Sequence, residues 1–363
     1  MIFQRALLRE LAGLAAAVFM TLFLIALTTR LIRLLGQAAG GKFPSESVVA
    51  FLGFFALHSL PVLLTLTLFI TVLLTLTRSY RDSEMVIWFG AGQSLTAWIK
   101  PVLTFAAPLV AVITALSLFG SPWAFRASEE YQSKIDARDD VSRVSPGVFG
   151  ESRNKNRVFF VESVAGDAST VQNVFVSTRQ HQRDGVMVAN RGVTEVMPNG
   201  DRFLVLLNGR RYEGTPGEAE YRVMEFERYA VRIEAKEGDE PPETHKGLTT
   251  LSLLELPTNA NRGELLWRIG VPISALVLAL LAIPLSFVNP RAGRSVNLLF
   301  ALLIYMTYSN LLSVSQARVA QGRIPFSTGW WVVHGAMATI MLLLFLWRLR
   351  PMRPLGLRLG RRP

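Results

Sequence analysis

Six stretches of the chain contain no Asp, Glu, Lys or Arg and are each about as long as a bilayer crossing requires. They cover 11–29, 47–77, 101–124, 269–288, 295–317 and 324–347. A helix needs roughly 20 apolar residues to span the hydrocarbon layer, and a chain with six such stretches must form a helical membrane bundle. Three lie before a long polar segment and three after it. The stretch 47–77 exceeds the minimum, so it is expected to tilt or to bend at Pro61. The first stretch is not a cleaved leader, because no A-x-A site follows it and Arg30 and Arg33 come directly after it.

Charge separates the two kinds of segment. The chain has 363 residues and a formal net charge of +11. Residues 122–264 hold 19 Lys/Arg and 23 Asp/Glu, a net of −4, which leaves +15 for the rest. The basic excess therefore belongs to the loops of the membrane part, and no basic domain is left to bind nucleic acid. Arg5, Arg9, Arg78, Arg81, Lys100, Arg291, Arg294 and the tail arginines from Arg348 to Arg362 fall in one set of loops, 13 in all. Arg30, Arg33, Lys42, Arg318 and Arg323 fall in the other set. The positive-inside rule then places both termini in the cytoplasm and the polar segment outside, in the periplasm of a bacterial inner membrane. The chain has no cysteine, which excludes disulfides, cysteine–zinc sites and thiol catalysis.

The polar segment reads as β. Residues 157–164, 171–180, 185–196, 202–209 and 220–235 are rich in Val, Phe, Tyr and Ile. The turn signals "AGDAS", "RDG", "PNGD" and "TPGE" separate them. Close spacing of short strands predicts a sandwich, barrel or jelly roll. "SEEYQSKIDARDD" is expected to be helical or irregular, and 235–247 a linker. The expected fold is an α-helical integral membrane protein with six transmembrane helices and an all-β, jelly-roll-like periplasmic domain inserted between helices 3 and 4. Its divisions are 1–121, 122–264, 265–350 and a basic cytoplasmic tail 351–363.

Two motifs invite chemistry. "GQAAGGKF" (36–43) approaches a phosphate-binding loop, but Phe43 replaces the hydroxyl residue that would hold Mg²⁺, and no strand precedes it. It reads as a glycine-rich turn, so any ATP-driven work must use an ATPase on another chain. "SYRDSEMVIWFGAG" (79–92) lies in the first cytoplasmic loop. Ser79-x-x-Asp82 fits a capping box. A helix starting there sets Met85, Val86 and Phe89 on one face, and Gly90 and Gly92 end it. An acidic start with an apolar ridge suits a groove on a partner protein; the alternative is a helix lying on lipid, against which Asp82 and Glu84 argue.

Arg30 and Arg33, one turn apart outside the first span, suit phosphate recognition or ordinary snorkelling, and Lys42, Arg318 and Arg323 extend the same side. Glu264 and Arg268 are spaced to pair as a structural contact. His58, His181, His245 and His334 are isolated from one another and read as packed or solvated side chains.

Three spans, a β domain and three spans, with "YRDSEM" in the first inner loop, resemble the lipopolysaccharide-export permease family (LptF/LptG, YjgP/YjgQ type). "LNGRRYEG" and "MEFERYAVRI" resemble its outer domain, and "RGELLWRIGVPIS" followed by "PLSFVNPRAGR" is nearer to its F branch. The resemblance covers nearly the whole chain. It implies a non-catalytic permease subunit of an ABC transporter that takes lipopolysaccharide out of the inner membrane toward the outer membrane. The implied partners are a paralogous LptG-like permease, a cytoplasmic LptB-like ATPase dimer that binds ATP and Mg²⁺, an LptC-like jelly-roll protein and an LptA-like bridge. No cofactor is expected in this chain. Tyr80, Arg81, Asp82, Glu84, Met85, Val86 and Phe89 would form the ATPase-coupling helix. Arg30, Arg33, Lys42, Arg318 and Arg323 would bind lipopolysaccharide. The first and fifth spans would gate the lipid chamber. A membrane-anchored sensor with a β ligand-binding domain is the alternative. A lipid-modifying enzyme would need clustered acids, histidines or a metal site near the spans, and the sequence offers none.

Overall fold

The computed structural model describes residues 2–40, 43–142, 147, 149–151, 157–164, 170–180, 183–196, 202–214, 221–233, 244–287 and 294–349. They form two compact units: residues 1–128 with 243–363, and residues 129–242.

The first unit is helical. Its elements are α1 (Ile2–Ala39), α2 (Val48–Arg81), α3 (Glu84–Gly90), α4 (Ile99–Ala115), the start of α5 (Ser121–Ser142), α6 (Thr250–Glu255), α7 (Asn259–Leu285), α8 (Arg294–Ala320) and α9 (Phe326–Leu349). Among the described residues, five helical segments are long and apolar enough to cross a membrane: Leu7–Ala39, Ser45–Arg81, Leu95–Ile135, Asn259–Leu285 and Phe326–Leu349. Without water, the backbone can satisfy its own hydrogen bonds only inside such helices. α8 occupies the fifth apolar stretch of the sequence, 295–317, as a 27-residue helix packed on α7 and α9.

α2 and α7 form the centre. Leu68, Phe69, Val72, Ala275, Ala279, Ala282 and Ile283 are almost without exposure. α7 packs against α2, α4, α8 and α9. Glycine permits that approach, as is usual where membrane helices lie close. A Cβ at Gly263 would meet the Ala320 Cβ at 2.8 Å, and one at Gly329 would meet Val319 at 2.5 Å. α1 is the opposite case, with most of its surface bare. Pro61 lies inside α2, and the Thr65 hydroxyl donates to its carbonyl oxygen at 2.8 Å.

α4 does not stop at 124. A π-helical turn over Leu116–Gly120 carries it into α5, so "SEEYQSKIDARDD" is helical. The 122–264 segment is therefore not all β. Gly36–Ala39 form the last turn of α1, and the glycine-rich motif is in that part helix rather than turn.

The second unit carries six strands: β1 (Gly150–Glu151), β2 (Arg157–Val164), β3 (Thr170–Gln180), β4 (Arg183–Val196), β5 (Arg202–Gly214) and β6 (Tyr221–Ile233). They pair antiparallel in chain order, β1 to β6. This is a meander. The Greek-key crossovers that define a jelly roll are absent among the described residues. Val174, Val176, Met187, Ala189 and Leu206 form its small core. The "RDG" expected to turn lies in β4, where Arg183 pairs with Gln180 and Gly185 with Thr178. The signals at 165–169, 198–201 and 215–218, the linker at 235–243, the arginine loop at 288–293 and the tail at 351–363 lie outside the described residues.

Candidate functional site

The helix expected after the second span starts later than the sequence suggests. α2 runs on through Arg81, and α3 is the seven-residue helix Glu84–Gly90. Ser79 makes no cap. It is 2% exposed inside α2, where burial on the helical face outweighs its capping tendency. Asp82 follows the last turn of α2, donating its N–H to the Arg78 carbonyl at 2.8 Å. Ser83 takes a left-handed φ of 62°, which ends α2 and re-aims the chain into α3. Gly90 and Gly92 do terminate the element, Gly92 with a φ of 83°.

The faces of α3 are sorted differently as well. Met85 is buried in the helical core, whereas Val86 and Ile87 are 68% and 71% exposed and Phe89 is exposed beside them. The exposed apolar ridge is thus Val86, Ile87 and Phe89, with Met85 as the peg that holds it to the bundle. Tyr80 packs edge-on against Phe287 at 5.4 Å and lies 6.3 Å from Phe89. The Arg348 guanidinium lies over the Phe287 ring, 3.8 Å from its centroid. Tyr80 is the link between this group and α3.

Arg78 was counted in the sequence only as a cytoplasmic cation, yet it organises the acids. Its guanidinium donates to Glu10 at 2.8 Å and stands 3.6 Å from Asp82 and 3.4 Å from Glu84. Arg81 adds a contact with Asp82 at 3.3 Å. Glu84 is therefore an acid already held within this chain. The signal was available: antiparallel spans of similar length bring the start of α1 beside the end of α2.

At the opposite end of the bundle, Arg30 is half-buried, with its guanidinium 5.2 Å from the Phe55 ring centroid and its Nε without a hydrogen-bond partner. Arg33, Arg318 and Arg323 are exposed. Lys42 lies outside the described residues. Arg30 and Arg33 share the end of α1, and Arg318 and Arg323 share the α8–α9 turn, closed by the Arg323 N–H on the Arg318 carbonyl at 2.9 Å. No described contact joins the two pairs into one cluster.

The same end holds a polar anchor. Arg268 on α7 is 1% exposed; its Nε donates to Glu264 at 3.0 Å, and the rest of its fork reaches the carbonyls of His245, Lys246 and Leu248 and the Thr250 hydroxyl. The Ser117 hydroxyl donates to the Arg268 carbonyl at 2.9 Å. The Glu264–Arg268 pairing foreseen from spacing is present, and its larger role is to fix 244–250 against α7.

Among the described residues, no group of three or more His, Asp or Glu is placed to hold a metal ion. His58 hydrogen-bonds Ser121 at 2.7 Å, and His334 hydrogen-bonds Tyr308 at 2.6 Å. Both histidines serve packing between helices.

The described residues thus form a helical bundle with five segments long and apolar enough to cross a membrane, interrupted in sequence by an antiparallel β unit and carrying a short acid-tipped helix. The family model described as "Lipopolysaccharide export system permease LptF/LptG" matches residues 5–348. The chain is 30% identical over 363 residues to the "Lipopolysaccharide export system permease protein LptF" of Escherichia coli strain K12, covering 98% of this chain and 97% of that protein. The proteins of that name from Escherichia coli O157:H7 and Shigella flexneri match equally. The chain belongs to the LptF/LptG family of lipopolysaccharide export permeases and is of the LptF type.

Proposed function

We propose that this permease works as the membrane half of an ATP-driven extractor of lipopolysaccharide, with α3 as the element through which a separate cytoplasmic ATPase acts. Both termini and α3 face the cytoplasm of a Gram-negative inner membrane, six helices cross it, and the segment inserted between α4 and α7 is periplasmic. A paralogous permease completes the lipid chamber. The β unit hands the lipid to a periplasmic β-sheet bridge; ATP and Mg²⁺ stay with the ATPase.

The observation that supports this most is the sorting of α3. Its peg Met85 is buried, while Val86, Ile87 and Phe89 are exposed next to Glu84 and Asp82. An apolar ridge bordered by acids fits a groove with a basic rim. The need for a motor is physical. Each acyl CH₂ left in water costs about 0.8 kcal/mol, so a lipid with several long chains leaves the bilayer only if work is done and an apolar chamber receives it. Arg30 and Arg33 are the first candidates to meet its phosphates, because a guanidinium matches paired phosphate oxygens.

Affinity purification of the full chain from membranes, with its associated subunits, tests the reading. An ATPase should co-purify with the native chain and be lost from Ile87→Asp and from Glu84→Lys. Retention of the ATPase by both variants would overturn the docking role of α3.

A further inference from the structure

Arg78 stands where three helices meet. Its Nη2 donates to Glu10 Oε2 at 2.8 Å, and its Nε lies 2.6 Å from Glu10 Oε1. The same guanidinium reaches Asp82 at 3.6 Å and Glu84 at 3.4 Å. Glu10 belongs to α1, Asp82 follows α2, and Glu84 is the first residue of α3. One positive charge is thus divided among carboxylates from three elements, and Arg81 offsets only Asp82.

The division matters because of what α1 lacks. It packs chiefly on α2 and leaves most of its surface bare. Among the described residues, its salt bridge to the rest of the bundle is the Glu10–Arg78 pair. The helix least held by packing therefore shares its ionic tie with the helix that faces the partner.

We propose that Arg78 is a positioning residue that transmits docking at α3 to α1 through the chain Glu84–Arg78–Glu10. This rests on the reading of α3 as the ATPase-docking helix. A cation of the ATPase that approaches Glu84 weakens the hold of Glu84 on Arg78, and the guanidinium then settles on Glu10. The inner end of α1 is drawn tighter against α2 when the motor engages and is released when it withdraws. All four side chains are a third or more exposed, so no single pair is strong. Weak, shared pairs are what such a device requires, since a buried bridge of high strength would not redistribute.

The absence of cysteine makes the test direct. Spin labels at Leu24→Cys on α1 and Leu343→Cys on α9, both exposed, report the distance between these helices in the reconstituted complex with and without nucleotide. The native chain should show a nucleotide-dependent change in that distance. Glu10→Gln should retain the ATPase and its hydrolysis but lose the change, and lipid released per ATP should fall about fivefold, the low end of ordinary coupling between sites. Arg78→Gln combined with Glu10→Gln should be no worse than Arg78→Gln alone, since the two act as one unit. A native chain without the distance change overturns the relay. So does a Glu10→Gln complex that keeps both the change and the transport ratio, or a double variant whose losses add. Loss of the ATPase is scored separately, on Ile87→Asp, and bears on the docking reading alone.

Discussion

Arg268 Nε donates to Glu264 Oε1 at 3.0 Å one turn away on α7, and both side chains are nearly excluded from solvent. Around that pair the carbonyls of His245, Lys246 and Leu248 turn inward to the same guanidinium. The chain returning from the β unit is thereby fixed before α7 begins. A buried ion pair of this kind is not itself a large source of stability, but removing one partner strands the other and its carbonyls. Arg268→Met should destabilise the helical unit by roughly 3 kcal/mol. It should also make 244–250 sensitive to protease in detergent. Glu264→Gln, which keeps an acceptor for the fork, should cost less. Equal protease resistance of native chain and Arg268→Met would show that the anchor is dispensable.

Close helix packing around α7 gives a second expectation. A Cβ at Gly263 would stand 2.8 Å from the Ala320 Cβ and 2.9 Å from the Gln316 carbonyl, so backbone must move. Gly263→Ala should lower the unfolding temperature of the purified protein, and Gly263→Leu should push α8 off α7 and reduce yield from membranes. Overpacking a tight contact costs typically about 1–3 kcal/mol. Gly13, which has open space around its Cβ position, is the control: Gly13→Ala should be silent or slightly stabilising.

Arg30 and Arg33 should act together on lipid. Arg30→Glu with Arg33→Glu should reduce photo-crosslinking of lipopolysaccharide to the export complex, and lipid-stimulated ATP hydrolysis with it. Two reversed charges at a phosphate contact predict a loss of tenfold or more, at about 1.5–3 kcal/mol per charged hydrogen bond. Arg318→Glu with Arg323→Glu should have a smaller effect, because no described contact ties that pair to the α1 end. Unchanged crosslinking in the first variant would remove Arg30 and Arg33 from the lipid path.

The parts of this architecture that follow from periodicity were legible in the sequence, and the parts that depend on neighbours were not. Richness in Val, Phe, Tyr and Ile between turn signals marked β2 to β6, with edges mostly within a few residues. β5 continues past 209 to Gly214 because it is paired on both sides, Arg210 with Val188 and Glu225 and Gly214 with Asp184 and Tyr221, contacts that a single strand cannot announce. Strand order was open to several topologies; the meander is set by pairing between successive strands. On α2, Ser79 looks like a cap to any local rule, and only its burial makes it the last turn of a span. Met85 was assigned to the exposed ridge for the same reason: a seven-residue helix has an apolar position on each side, and contact with the bundle decides which side is hidden. The antiparallel course of two consecutive spans could have placed Arg78 near Glu10, but its sharing with Asp82 and Glu84 is decided by contact alone.

Orientation across the membrane is the expectation on which the docking and lipid roles both depend. The positive-inside count predicts α3 in the cytoplasm and the β unit in the periplasm. Ile87→Cys and Val223→Cys are suited to test it, since each residue is more than half exposed and no native cysteine competes. An impermeant maleimide added to intact cells with a permeabilised outer membrane should label Val223→Cys and leave Ile87→Cys unmodified until the inner membrane is opened. In inverted vesicles the pattern should reverse. Equal labelling of both sites from one side would put α3 and the β sheet in the same compartment. A cytoplasmic ATPase could not then reach α3 while the sheet receives lipid outside, and the division of labour between the two units would have to be abandoned.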